Sequence, residues 1–230
     1  FAAEDRIGVW ASNHPNWVLL QYAIAKAGMV LVAINPLYRE RELAYALKAS
    51  QVVAVFHGGQ VGGASSAHML ANIADETPLL RARFDLTCDL ERIACAARPG
   101  TRLPDVAADD LCMIQYTSGT TGVPKAAWLP HGGITAIAAR TYKRWGFGHG
   151  DRVCHGFPLF HVGGLNIQPL PALLLGAQVV IAPAFDPGEA LAAIERRRIT
   201  QVTVVPTVLS ALLAHPGWDT ARLNSLRMIA

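Results

Sequence analysis

One pattern constrains this chain more than any other. Short runs with no polar side alternate with longer stretches whose apolar residues recur three and four apart. Residues 29–34 (Met-Val-Leu-Val-Ala-Ile) and 52–56 (Val-Val-Ala-Val-Phe) offer water no face. A strand of that kind has to be covered on both sides. The stretches between supply the cover. Helical spacing predicts helices over 16–27, 39–49, 134–145, 162–175, 190–197 and 207–214. Strands are predicted over 6–11, 29–34, 52–56, 111–116, 153–157, 178–182 and 201–205, with another beginning near the end of the chain. Strand and helix in turn imply an α/β fold of mostly parallel sheets flanked by helices.

Composition narrows the function classes. Hydrophobic residues make up 52% of 230, and charged residues only 16%. Such a chain drives burial and excludes disorder. A net charge of +3 is too small for a nucleic-acid or membrane-surface protein. The one basic run, Arg196-Arg197-Arg198, reads as the solvated end of a helix. Residues 17–34 have the length of a short membrane span, but Gln21, Lys26 and Gly28 interrupt them. Helix, then Gly28 as its C-cap, then strand is the better reading, so no transmembrane segment is expected. Cys88, Cys95, Cys112 and Cys154 have neither zinc nor paired-cysteine spacing. They read as free structural thiols in a reducing, cytoplasmic setting. Two Gly/Pro/Asp-rich stretches, 58–63 and 99–110, read as loops. The second suggests a junction near residue 105, giving subdomain portions 1–105 and 106–230. A first residue of Phe and a last segment that begins a strand are expected of a fragment. Nothing in the sequence sets an oligomeric state.

The segment with most chemistry is Tyr116-Thr117-Ser118-Gly119-Thr120-Thr121-Gly122-Val123-Pro124-Lys125. Glycines let backbone N–H groups converge on one point. The hydroxyls add donors, and Lys125 adds a cation. Hydrogen bonds to charged groups are worth ~1.5–3 kcal/mol each, so a few suffice to hold a triphosphate. It is not a Walker A loop, because position 124 is Pro where that pattern needs Gly.

This string resembles the phosphate-binding loop of the adenylate-forming superfamily, which includes acyl-CoA synthetases, luciferases and peptide-synthetase adenylation domains. The match runs from Tyr116 to Lys125 and departs at Ala126, where that family usually has Gly. Further segments are similar in the same order. They are Asp5-Arg6-Ile7-Gly8-Val9-Trp10 with Asn13 and Trp17, Asn35-Pro36 with Glu42-Leu43, Pro158-Leu159-Phe160-His161-Val162-Gly163-Gly164-Leu165, and Val205-Pro206-Thr207.

The resemblance implies a two-step ligase. A carboxylate attacks the α-phosphate of ATP, pyrophosphate leaves, and the thiol of coenzyme A displaces AMP. It implies that Thr117, Ser118, Gly119, Thr120, Thr121, Gly122 and Lys125 hold the β- and γ-phosphates, with Thr120 or Thr121 near Mg²⁺. It places His161 beside the acyl carboxylate, and the helix after Gly163-Gly164 along the acyl pocket. A metal pair of His155 and His161 lacks a third ligand and is set aside. The small-molecule acid is expected to be a medium- or long-chain fatty acid first and an aryl acid second. The apolar stretch 170–175 has no charge for an amino-acid ammonium group. A non-catalytic nucleotide-binding remnant is the reading from another class. The adenine pocket, the metal-binding Glu and the catalytic Lys of such enzymes lie beyond the segments matched here. The chain is therefore expected to be an incomplete large N-terminal domain without the small C-terminal domain, unable to adenylate by itself.

Overall fold

The computed structural model describes all residues except 62, 98–99, 118–123, 220 and 230. Contacts divide the chain into two units, Phe1–Ile134 and Thr135–Ala230.

The first unit runs β1 (Arg6–Trp10), α1 (Asn16–Lys26), β2 (Val30–Ala33), α2 (Glu40–Ala49) and β3 (Val52–His57). A small hairpin of β4 (Gln60–Val61) and β5 (Ala64–Ser65) follows. Then come α3 (Ser66–Asn72), β6 (Ala82–Asp85), α4 (Cys88–Cys95), β7 (Leu111–Thr117), β8 (Lys125–Pro130) and α5 (His131–Trp145), which runs across the division. The six-stranded sheet has the order β6-β3-β1-β2-β7-β8. Its first five strands are parallel. β8 returns antiparallel to β7. On one face α2 and α3 bury Leu43, Leu47, Met69 and Leu70 against Trp10, Val32, Ile34 and Val55. Each such side chain contributes about 1.5–3 kcal/mol by leaving water. Gly8 is crowded by this packing. A methyl at its Cα would lie 3.2–3.3 Å from Ile34, Val52 and Val55.

Local signals set the element ends. α1 closes on a left-handed Gly28, φ 67°. Gly28 N donates to Ala25 O and Met29 N to Ile24 O, a Schellman motif. Residues 17–34 are thus helix, cap and strand. Among the described residues no helix is long and apolar enough to cross a membrane. The Asn35-Pro36…Glu42-Leu43 stretch has a folding role. Asn35 Oδ1 accepts from Leu37 N at 2.9 Å to turn the chain. Glu42 accepts from Arg39 N at 3.2 Å to cap α2.

The loop over 99–110 is not where contacts divide. β7, which follows it, inserts beside β2 in the same sheet, and this binds residues 111–134 to the first unit. Several elements have no counterpart in the sequence reading: the β4–β5 hairpin, α3, β6, α4 and β8. β6 is a half-buried edge strand, and α4 is a short helix that buries none of its residues.

The second unit runs β9 (Arg152–His155), a π-helical turn (Gly163–Ile167), α6 (Pro169–Leu174), β10 (Gln178–Ile181), α7 (Pro187–Arg197), β11 (Gln201–Val202), α8 (Pro206–Leu213) and β12 (Met228–Ile229). Its sheet has the order β10-β9-β11-β12, and every pairing is parallel. Val153 packs with Phe147, Ala172 and Ala177 in one cluster. Cys154 and Val202 pack with Ile194 and Ile199 in another. The helix predicted over 162–175 is two pieces. Pro169 has no N–H to continue an α ladder, and the turn before it widens to π geometry.

Candidate functional site

The hydroxyl-rich segment lies, in sequence, between two strands that pair. Thr117, the last residue of β7, is paired with Lys125, the first of β8. Thr117 Oγ1 donates to the Lys125 carbonyl at 3.3 Å. The Lys125 side chain is exposed, and the structure gives its ammonium no partner among the described residues. An exposed cation in this position suits a phosphate. Ser118, Gly119, Thr120, Thr121 and Gly122 lie outside the described residues, and with them both threonines expected near Mg²⁺. The strand leading in is anchored one residue earlier. Tyr116 donates its hydroxyl to Ala46 O at 3.1 Å and bonds Ser50 Oγ at 2.7 Å. Burial pushes the Tyr116 phenol up, against the opposing pull of the Ser50 bond. It therefore stays a neutral anchor.

His161 belongs to a tight turn in the second unit. Its N–H donates to Pro158 O at 3.1 Å, and its carbonyl accepts from Gly164 N and Leu165 N at 2.9 and 3.0 Å. Its Nδ1 accepts from Gly163 N at 3.2 Å. An Nδ1 that accepts carries no proton, so the neutral ring has its proton on Nε2. The ring is exposed, with Nε2–H as a donor of fixed direction. Gly164 makes the turn possible, since a Cβ there would run into the Pro158 carbonyl. The two glycines of this motif are therefore unequal, Gly164 being sterically required.

Below the turn, Gln168 is fully buried. Its Nε2 donates to Thr203 Oγ1 at 2.9 Å and to Cys154 O at 3.5 Å. It ties the helical segment to the carboxyl ends of β9 and β11. The sequence reading passed over this residue. Its signal was an amide, with Asn166 two residues before it, in an otherwise apolar run.

Those carboxyl ends open into a cavity of about 560 Å³. Phe157, Val180, Ile181, Val204, Val208 and Leu212 give it a mainly apolar lining, to which Asp186, Glu189, Arg196 and Arg197 add charged groups. Parallel α/β sheets bind ligands outside the carboxyl ends of their strands. α7 and α8 wall the cavity, and the segment after Gly164 does not. Cys154 reaches it with a thiol that burial pushes up, so it contributes volume and no nucleophile. Cys112 is likewise buried, its thiol pushed up to about 11. All four cysteines are free.

Known proteins are similar to this chain over nearly its whole length. Feruloyl-CoA synthase from Amycolatopsis sp is 35% identical over 225 residues, which are 98% of this chain and 43% of that protein. Long-chain-fatty-acid–CoA ligase from Bacillus subtilis is 30% identical over 255 residues, covering 97% of this chain and 45% of the ligase. The crystal structure of ATP-bound MatB from Rhodopseudomonas palustris superposes with a TM-score of 0.87 at 26% identity, over 100% of this chain and 44% of that one. The chain thus spans less than half the length of these relatives. The model of the AMP-binding enzymes matches residues 1–230, and the chain belongs to that family.

Proposed function

We propose that the whole protein activates a carboxylic acid with ATP and passes the acyl group to coenzyme A. In the first step a carboxylate oxygen bonds to the α-phosphorus, the bond to the β-phosphate oxygen breaks, and pyrophosphate leaves with that electron pair. In the second a thiolate attacks the acyl carbon and AMP departs. Lys125, with Thr117, Ser118, Gly119, Thr120, Thr121 and Gly122, takes the β- and γ-phosphates. Its cation balances charge that builds on the leaving group. His161 offers Nε2–H to the acid's carboxylate and orients it. Thr120 and Thr121 are the residues for Mg²⁺, which when bound neutralises phosphate charge.

The observation that carries this reading is the exposed Lys125 ammonium, without an ion-pair partner among the described residues, paired across from Thr117 where β7 and β8 meet the Ser/Thr/Gly segment in sequence. For the acid, the apolar cavity at the strand ends supports a medium- or long-chain fatty acid. Its lining reaches Gly156 and Phe157, four residues short of His161. An aryl acid is the second reading, favoured by the 35% identity to a feruloyl-CoA synthase.

ATP–pyrophosphate exchange by the whole protein, with fatty and aryl acids in parallel, tests both. Acid-dependent exchange is expected. Lys125→Ala should reduce it about 10- to 100-fold, the value of a charge-assisted contact. Exchange with no carboxylate, or exchange indifferent to Lys125→Ala, would overturn the proposal.

A further inference from the structure

Lys125 is held from a direction that its own hairpin does not supply. Tyr45, on the exposed flank of α2, donates its hydroxyl to the Pro124 carbonyl at 3.4 Å. Pro124 directly precedes Lys125, and having no N–H it offers its carbonyl as its one backbone polar handle. On the other side Thr117 Oγ1 holds the Lys125 carbonyl at 3.3 Å. The next residues of α2 grip the incoming strand. Ala46 O and Ser50 Oγ both bond the Tyr116 hydroxyl, at 3.1 and 2.7 Å. One helix thus holds both edges of the hairpin mouth, and Tyr45 holds the edge that carries the cation.

Tyr45 has little structural work to do there. Its ring is 42% exposed. The buried face of α2 is Leu43, Ala44, Ala46 and Leu47. The helix is capped by Glu42. What its hydroxyl does touch is the peptide that aims Lys125.

We propose that Tyr45 is a positioning residue for phosphate binding. It fixes the Pro124–Lys125 peptide from α2, so that the ammonium meets the triphosphate without first being ordered. This rests on reading Lys125 as a phosphate ligand. Losing the hydroxyl frees the peptide and costs ATP affinity, while the acid, which Lys125 does not touch, is bound as before.

The test is Tyr45→Phe in the whole protein, alone and combined with Lys125→Ala, with KM for ATP and for the acid measured separately. Tyr45→Phe is expected to raise KM for ATP ~3- to 10-fold, the value of one neutral hydrogen bond. KM for the acid and the melting temperature should stay unchanged. Combined with Lys125→Ala it should add nothing, because its effect passes through that residue. An unchanged KM for ATP in Tyr45→Phe, an equal rise in both KM values, or an undiminished effect in the Lys125→Ala background would each overturn the positioning role. If Lys125→Ala itself leaves KM for ATP unchanged, the phosphate reading fails and takes this proposal with it.

Discussion

In the first unit the last strand turns back. β8 pairs antiparallel with β7 and leaves the exposed side chains of Thr117 and Lys125 facing each other in register at the edge of the sheet. In the second unit no strand turns back, and the carboxyl ends of β9, β10 and β11 open on an apolar cavity. The same building rule, strand and covering helix in turn, ends in a polar site in one unit and an apolar one in the other. The antiparallel return brings side chains from two strands to one edge. The parallel ends instead leave a crevice that α7 and α8 wall.

The largest expected effect falls on the turn of the second unit. Gly164→Ala drives a Cβ into the Pro158 backbone, which cannot move aside as a flexible side chain would. A cost of about 3 kcal/mol or more is expected. Gly156→Ala is the control, since a Cβ there meets nothing within 4 Å. Hydrogen exchange read peptide by peptide in the whole protein should show lost protection in residues 135–229 for Gly164→Ala only. Equal loss in residues 1–134 would mean that the units are not separable in stability.

Next in size is a buried carboxylate at the other end of the second sheet. Asp151 is 5% exposed. It accepts from Thr200 Oγ1 at 2.7 Å, Gly148 N at 2.8 Å, Gln201 Nε2 at 3.1 Å and Arg227 Nη2 at 2.6 Å. It thereby joins the starts of β9, β11 and β12. Burial pushes its pKa up, but the bonds from Thr200, Arg227 and Gly148 together hold it below the ordinary carboxylate range. A depressed carboxyl contributes stability that is complete above the unfolded value of about 3.9. That stability is lost as pH falls through the folded value. Asp151→Asn should cost about 2 kcal/mol at neutral pH, leaving donors facing an amide. It should also flatten the acid limb of a urea-melt series below pH ~4. An unaltered acid limb would assign that limb to other carboxylates.

How far the sequence shows all this follows from where each signal lies. Strands such as 52–56 are written in one apolar run, and Gly28 marks its helix end by the one property no other residue shares. The α/β class and most central strands were legible for that reason. β8 was not. Lys-Ala-Ala-Trp-Leu-Pro has small exposed residues and only one neighbour, so pairing with β7 defines it rather than any period of its own. The hydroxyl-rich loop was legible by composition, whereas its grip by Tyr45 and Ser50 depends on residues about 70 positions away and leaves no local trace. The same holds for the apolar cavity, whose walls come from three strand ends and two helices. Each wall looks like ordinary core when read singly.

The smallest effect tests whether the first unit has its own polar anchor. His57, at the end of β3, is 8% exposed, and its Nδ1 lies 2.9 Å from Oγ of the buried Ser66. Burial lowers the His57 pKa and outweighs the nearby Asp85 and Asp89, which pull it up. Asp85 is itself held at about 2, chiefly by the Thr87 hydroxyl and the Cys88 N–H. Where Asp151 anchors the second sheet as an ion, His57 anchors the first as a neutral ring. A depressed histidine contributes stability that is complete above the unfolded value of about 6.5. Acidification through the folded value removes it. Ser66→Ala should cost about 1 kcal/mol at pH 7, one neutral hydrogen bond. His57→Gln should flatten the loss of exchange protection in residues 1–134 as pH falls from about 7 to 5, and leave residues 135–229 unaffected. If the slope persists in His57→Gln, the neutral anchor is elsewhere, and the contrast between the two sheets rests on Asp151 alone.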